Sequence, residues 1–130
     1  MADYLSQSGL TTVFVCGLYG KGRDDLIGRS KLVVNINLYD RSKIFEVVRV
    51  SYFLANRKAV VADIDADTLI DDDMRSAIKV TVGPELVRDC QNLVADDAAR
   101  TALEEAGFAA IEKRDIRIIL KRALAATSRL

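Results

Sequence analysis

Apolar residues along this chain change their spacing repeatedly, and each change marks an element. Leu32, Val33, Val34, Ile36 and Leu38 form a short run rich in β-branched residues, and a second such run covers residues 59–64. Runs apolar at consecutive positions, rather than at alternate ones, fit strands buried on both faces. Between them Ile44, Phe45, Val47, Val48, Val50, Tyr52, Phe53 and Leu54 leave only Glu46, Arg49 and Ser51 polar. That pattern predicts a helix over residues 42–56 with most of its surface covered. Strand, covered helix, strand is the order of a parallel pair joined by a crossover, because parallel neighbours cannot be linked by a hairpin. The expectation is a buried βαβ unit over residues 31–64.

The rest of the chain alternates in the same manner. Residues 2–8 read as a short helix ending at Gly9, which suits a left-handed cap, and residues 11–16 as a strand. Gly17, Gly20 and Gly22 make a glycine-rich turn, and residues 23–29 the next helix, with Leu26 and Ile27 inward. Residues 65–73 are acidic and read as a loop, with a helical turn at 72–78. Residues 79–82 form a short strand stopped by Gly83-Pro84, and Pro84 stands at the first turn of a helix running to Ala95. Asp96 or Asp97 suits the cap of a helix through Ala106 that Gly107 ends. Residues 108–126 then supply a last long helix, its apolar stripe carried by Ile111, Ile116, Ile119, Leu120 and Leu124, and its solvated side by Lys113, Arg114, Lys121 and Arg122. The expected fold is a single α/β domain over residues 1–130, a three-layer Rossmann-like parallel sheet with a helical C-terminal end.

Composition narrows the function classes. Nineteen basic residues balance 19 acidic ones and aromatics are few, so neither a disordered chain nor a broad nucleic-acid footprint is indicated. No apolar run approaches the ~20 residues of a membrane span, and no basic-then-apolar leader opens the chain, so the cytoplasm is the expected location. Cys16 and Cys90 are too few and too far apart for a disulfide framework; both are expected as buried, reduced thiols. The chain has no histidine, which removes the commonest general base and the commonest metal ligand.

Two stretches, GLYGKGRDDLIGRSKLVVNI and IFEVVRVSYFLANRKAVVAD, resemble the C-terminal domain of bacterial glycosyltransferases of the two-Rossmann-domain (GT-B) type. The later stretch ELVRDCQNLVADDAARTALEEAGFAAI is similar to the next segment of those enzymes, so the likeness covers most of residues 9–115. It implies a domain that binds a nucleotide-sugar donor, with a nucleoside-diphosphate sugar as substrate and no separate cofactor. It also implies an opening strand ahead of the first helix, which this order of elements lacks. An N-terminal domain holding the acceptor, and usually the base, is implied as well. The isolated chain is therefore expected not to turn over.

Open α/β sheets bind ligands at the carboxyl ends of their strands, and three places qualify. The first is the glycine turn, where Gly17, Gly20 and the N–H groups opening a helix could hold a phosphate, with Arg23 as the contact. Its Gly-x-x-Gly-x-Gly spacing matches neither the dinucleotide fingerprint nor a Walker loop, and a tight strand-to-helix turn needing positive φ is the better account of it. The second is the turn entering the central helix. The resemblance implies that Glu46, with Ile44 and Phe45 before it, contacts ribose hydroxyls while backbone N–H groups meet the diphosphate. Ser42 stands as an N-cap and Lys43 could neutralise phosphate charge. The plain alternative is that Ser42 only caps and Glu46 only pairs with Arg49. The second glutamate of many such enzymes, eight residues on, is Leu54 here, and Asn56-Arg57-Lys58 replaces their glycine-rich turn. The third place is Asp63, Asp65 and Asp67 with Asp71 to Asp73, which could suggest a divalent cation. The residues a calcium loop needs at its sixth and twelfth positions are Thr68 and Met74 instead, so a solvated loop and no metal is the expectation. Two functions remain open: a donor-binding domain that completes its cleft with a partner glycosyltransferase domain, and a non-catalytic interaction module forming a homodimer through an unfilled sheet edge.

Overall fold

A computed structural model describes residues 5, 7–36 and 44–127. Leu32–Ile36 (β1), Ala59–Asp63 (β2) and Lys79–Thr81 (β3) form one parallel sheet in the order β1-β2-β3. Around it lie α1 (Gly20–Arg29), α2 (Val47–Ala55), α3 (Asp72–Ser76), a 3-10 turn (Gly83–Glu85), α4 (Leu86–Ala95), α5 (Asp97–Glu112) and α6 (Ile116–Thr127). The consecutive apolar residues of β2 explain the layering, because side chains alternate between the two faces of a strand. Val60 and Ala62 enter a core with Phe45, Val50, Leu54, Met74 and Ile78, while Val61 joins Leu5, Leu86 and Cys90 on the other face. The fold is thus the α/β, Rossmann-like parallel arrangement that the βαβ pattern required.

Several details agree closely with the sequence. Asp96 caps α5, its carboxylate accepting from the Ala99 N–H at 2.9 Å. Pro84 lies in the turn that opens α4, where its missing N–H is harmless. Gly9 is left-handed at φ 79°. Of the helix expected over 2–8, residues 1–4 and 6 lie outside the described residues; Leu5 is buried and accepts the Ser8 N–H.

Other expectations are corrected. Residues 11–16 form no strand: a strand needs a neighbour, and no backbone of the described residues pairs with them. Val13, Phe14 and Val15 are 61%, 54% and 46% exposed, and Cys16 is exposed with them, so only Cys90 is a buried thiol. The central helix begins at Val47 and not at residue 42, because Phe45 is drawn into the core and Ile44 bridges Leu69 in parallel fashion. Nor is α2 covered all round. Val50 and Leu54 are fully buried, but Val48 is 84% exposed, since the sheet and α5 cover only part of the helix.

Gly107 does not end a helix. It lies buried in the middle of α5, where an added Cβ would stand 2.6 Å from Leu54 Cδ2 and 3.1 Å from the Ala77 carbonyl oxygen. The residue is small because α5 crosses close over α2 there. The last long helix is instead divided at 113–115: Ile111 packs against the core, whereas Ile116, Ile119, Leu120 and Leu124 of α6 are exposed. No helix among the described residues is long and apolar enough to cross a membrane.

Candidate functional site

Three strands running the same way deliver the segments after Ile36, Asp63 and Thr81 to one edge of the sheet, where ligand sites of open α/β folds form. The Ile44–Leu69 bridge draws the segment after β2 beside the entry to α2. Between them lies a cleft of about 160 Å³ lined by Phe45, Val47, Leu69, Ile70, Asp71 and Met74. Ligand pockets usually enclose roughly 300–1,000 Å³, so this is one wall of a site rather than a closed one. Ile44 is exposed on its rim, and Glu46 is the N-cap residue of α2. The Glu46 carboxylate forms an ion pair with Arg49 Nη1 at 2.7 Å while remaining partly open to solvent. The Val47 N–H is spent on the Phe45 carbonyl at 2.8 Å and is not free to meet a phosphate. Ser42 and Lys43 lie outside the described residues.

The glycine turn stands apart from Glu46. Gly17 and Gly20 adopt φ of 71° and 58°, the left-handed backbone that a side chain would strain. Arg23 is engaged rather than free: Nη2 donates to the Tyr52 hydroxyl at 2.8 Å, and its guanidinium lies 4.2 Å from the centre of that ring. Tyr52 in turn donates to Asp24 at 2.6 Å. That hydrogen bond, reinforced by Arg23, holds the Asp24 carboxyl below its ordinary range; the same bond, with desolvation, pushes the Tyr52 phenol above its own, while the Arg23 charge partly opposes that rise. Six residues of helix, about 9 Å, separate Tyr52 from Glu46. Arg23 therefore fastens α1 to α2, and the structure does not bring it together with Glu46.

Two groups at this edge carry unusual polarity. Asn35, in the penultimate position of β1, is 1% exposed with neither amide atom hydrogen-bonded. Its partner in register is Ala62, which places it on the sheet face that α2 covers. A buried amide without partners costs about 1–3 kcal/mol, and such a group calls for a reason. Its sequence signal is a lone polar residue in the run LVVNI, which neither motif nor periodicity singles out. Asp63, the last residue of β2, is half-buried, and desolvation raises its pKa; the Gly83 N–H offsets part of that and the Asp65 charge adds to it.

A carboxyl group whose pKa rises on folding penalises the folded state whenever it is ionised in both states, and the penalty disappears as acid protonates it. Asp63→Asn, which can still accept from Gly83, is accordingly expected to raise the thermal midpoint at pH 7. The gain should shrink as pH falls through the raised folded pKa toward the ordinary aspartate range, because the wild-type carboxyl then takes up a proton. Thermal melts of both proteins across that range check it.

The carboxylates of the acidic segment are engaged by a cationic side chain of the protein itself. Asp71 and Asp73 are both held by Arg114 from the end of α5, Asp73 at 2.9 Å from its Nε. Among the described residues no group of three potential ligands could hold a metal ion. A larger hollow of about 380 Å³ between α3 and α5 is lined by Asp73, Ala106, Ala109, Ala110 and Arg114 among others, and contains none of the residues anticipated to bind a nucleotide-sugar. Comparison with protein-family models, curated proteins and solved structures finds no match for this chain.

Proposed function

We propose that this chain is a nucleotide-sugar-binding domain, the donor half of a glycosyltransferase, which binds but does not turn over by itself. One observation carries the reading: Glu46 sits at the first turn of the crossover helix, at the carboxyl edge of a parallel β1–β2 pair, with its carboxylate accessible. A carboxylate there can accept from two vicinal ribose hydroxyls, and the helix terminus favours the diphosphate beside it. The likeness of residues 9–115 to GT-B donor domains supports the same assignment. The open cleft agrees with half a site, since transfer needs both substrates fixed and water excluded. Arg49 would yield the Glu46 carboxylate to the sugar hydroxyls, or share it with them.

Calorimetry of the 130-residue chain with uridine, guanosine and thymidine diphosphates tests this. Saturable binding of at least one is expected, and Glu46→Ala should weaken it at least ~10-fold, equivalent to about 1.4 kcal/mol. No heat with any of the three would sink the proposal. A second reading, an interaction module, is favoured by the exposed apolar side chains of Val13, Phe14 and Val15.

A further inference from the structure

Among the described residues the β1 side of the sheet has no further strand, and the same chain carries a segment suited to fill that edge. β1 is terminal in the order β1-β2-β3 and, among the described residues, its backbone pairs only with β2. One row of its N–H and C=O groups is therefore without a strand neighbour. Such edges are ordinarily guarded by lysine, proline or a bulge, yet Leu-Val-Val-Asn-Ile carries no charge and no proline. Residues 11–16, Thr-Thr-Val-Phe-Val-Cys, are of strongly strand-forming types and equally uncharged. They make no backbone-to-backbone hydrogen bond with the described residues, and Val13, Phe14 and Val15 are left exposed. Six residues of unpaired strand former match five residues of open edge.

We propose that two copies of this chain dimerise by each laying residues 11–16 along the free edge of the other's β1. Because every copy supplies one segment and one edge, the exchange closes on a two-fold axis and ends at the dimer. Backbone pairing supplies the attraction, as in other strand-addition contacts, and the apolar side chains gain cover on the extended sheet. The proposal stands independently of the donor site, which lies at the carboxyl ends of the strands and not along their flank.

Sedimentation in reducing buffer, at tens of micromolar, is expected to show a dimer; reduction prevents exposed Cys16 from cross-linking copies. Successive N–H groups of a strand point to opposite sides, so either residue 13 or residue 14 must donate to β1. Replacing both Val13 and Phe14 with proline removes that donor, and the dissociation constant should rise at least ~10-fold. The helical far-UV signal should not change, because these residues make no backbone bond with the other described residues of their own copy; only the small strand contribution of the dimer should be lost. Replacing both with threonine keeps the donors and the strand preference, and should leave the dimer in place. A monomeric wild type would overturn the proposal, and so would threonines as damaging as prolines, which would mean mere apolar adhesion.

Discussion

Leu54→Ala is expected to lower stability by roughly 3–4 kcal/mol, and to make a second, otherwise harmful substitution nearly neutral. Leu54 is fully buried between the sheet and α5, so truncation removes both transfer energy and contacts that the surroundings cannot replace. Gly107→Ala alone brings two opposed effects. A helix interior prefers alanine over glycine by about 1 kcal/mol, but the new methyl would meet Leu54 Cδ2 at 2.6 Å and the Ala77 carbonyl oxygen at 3.1 Å. The leucine tip can turn aside only within a filled core, and overpacking of this kind costs about 1–3 kcal/mol. With Leu54 already shortened, the nearer obstacle is gone and the methyl partly fills the vacated space. Urea unfolding of the four proteins should therefore give a coupling of at least ~1 kcal/mol, whereas additive effects would show that the crossing is looser than these distances require.

Stability should fall steeply in alkali, with Cys90 responsible for a separable part of the slope. The thiol is buried on α4, and burial, with a smaller contribution from the neighbouring Asp89 charge, pushes it up to about 11. In the unfolded chain it ionises near pH ~8.5. A group whose pKa is raised on folding contributes fully below the unfolded value and loses that contribution as pH rises toward the folded one. Between about pH 8.5 and 11 the unfolded state holds fewer protons, and stability drops by up to ~1.4 kcal/mol per pH unit, about 3 kcal/mol in all. Cys90→Ala should flatten this limb while leaving the rest of the alkaline profile in place. Maleimide should label Cys16 in the folded chain and reach Cys90 only after unfolding. Rapid labelling of both thiols under native conditions would contradict the burial.

The parallel core was legible because its signals are local and agree: two β-branched runs, a helix-length segment between them, and capping residues such as Asp96. What the sequence could not reveal depended on neighbours. Residues 11–16 have the composition of a strand, but a strand is a relation between two segments, and the second is not within the described fold. Gly107 carries the same local signal whether it ends a helix or permits one to cross closely over another. The start of α2 slipped because Ser42 advertises a cap, while burial of Phe45 and the bridge at Ile44 are tertiary events. Of the anticipated site, Glu46 and Ile44 stand at the expected edge, Arg23 is committed elsewhere, and Asn35 was overlooked because one amide in an apolar run carries no periodic signal.

The polar turn 56–58 has a mechanical consequence. Asn56 closes α2 by donating to the Tyr52 carbonyl at 2.8 Å; Arg57, left-handed at φ 52°, seats its guanidinium 3.7 Å from the centre of the Phe108 ring on α5. Lys58 reaches back to the Gly28 and Ser30 carbonyls at 3.1 and 3.0 Å, bonding the carboxyl end of α1. Three successive residues thus sew three helices to one knot at the amino-terminal rim of the sheet. A load on any one of these helices is therefore shared with the other two at that rim.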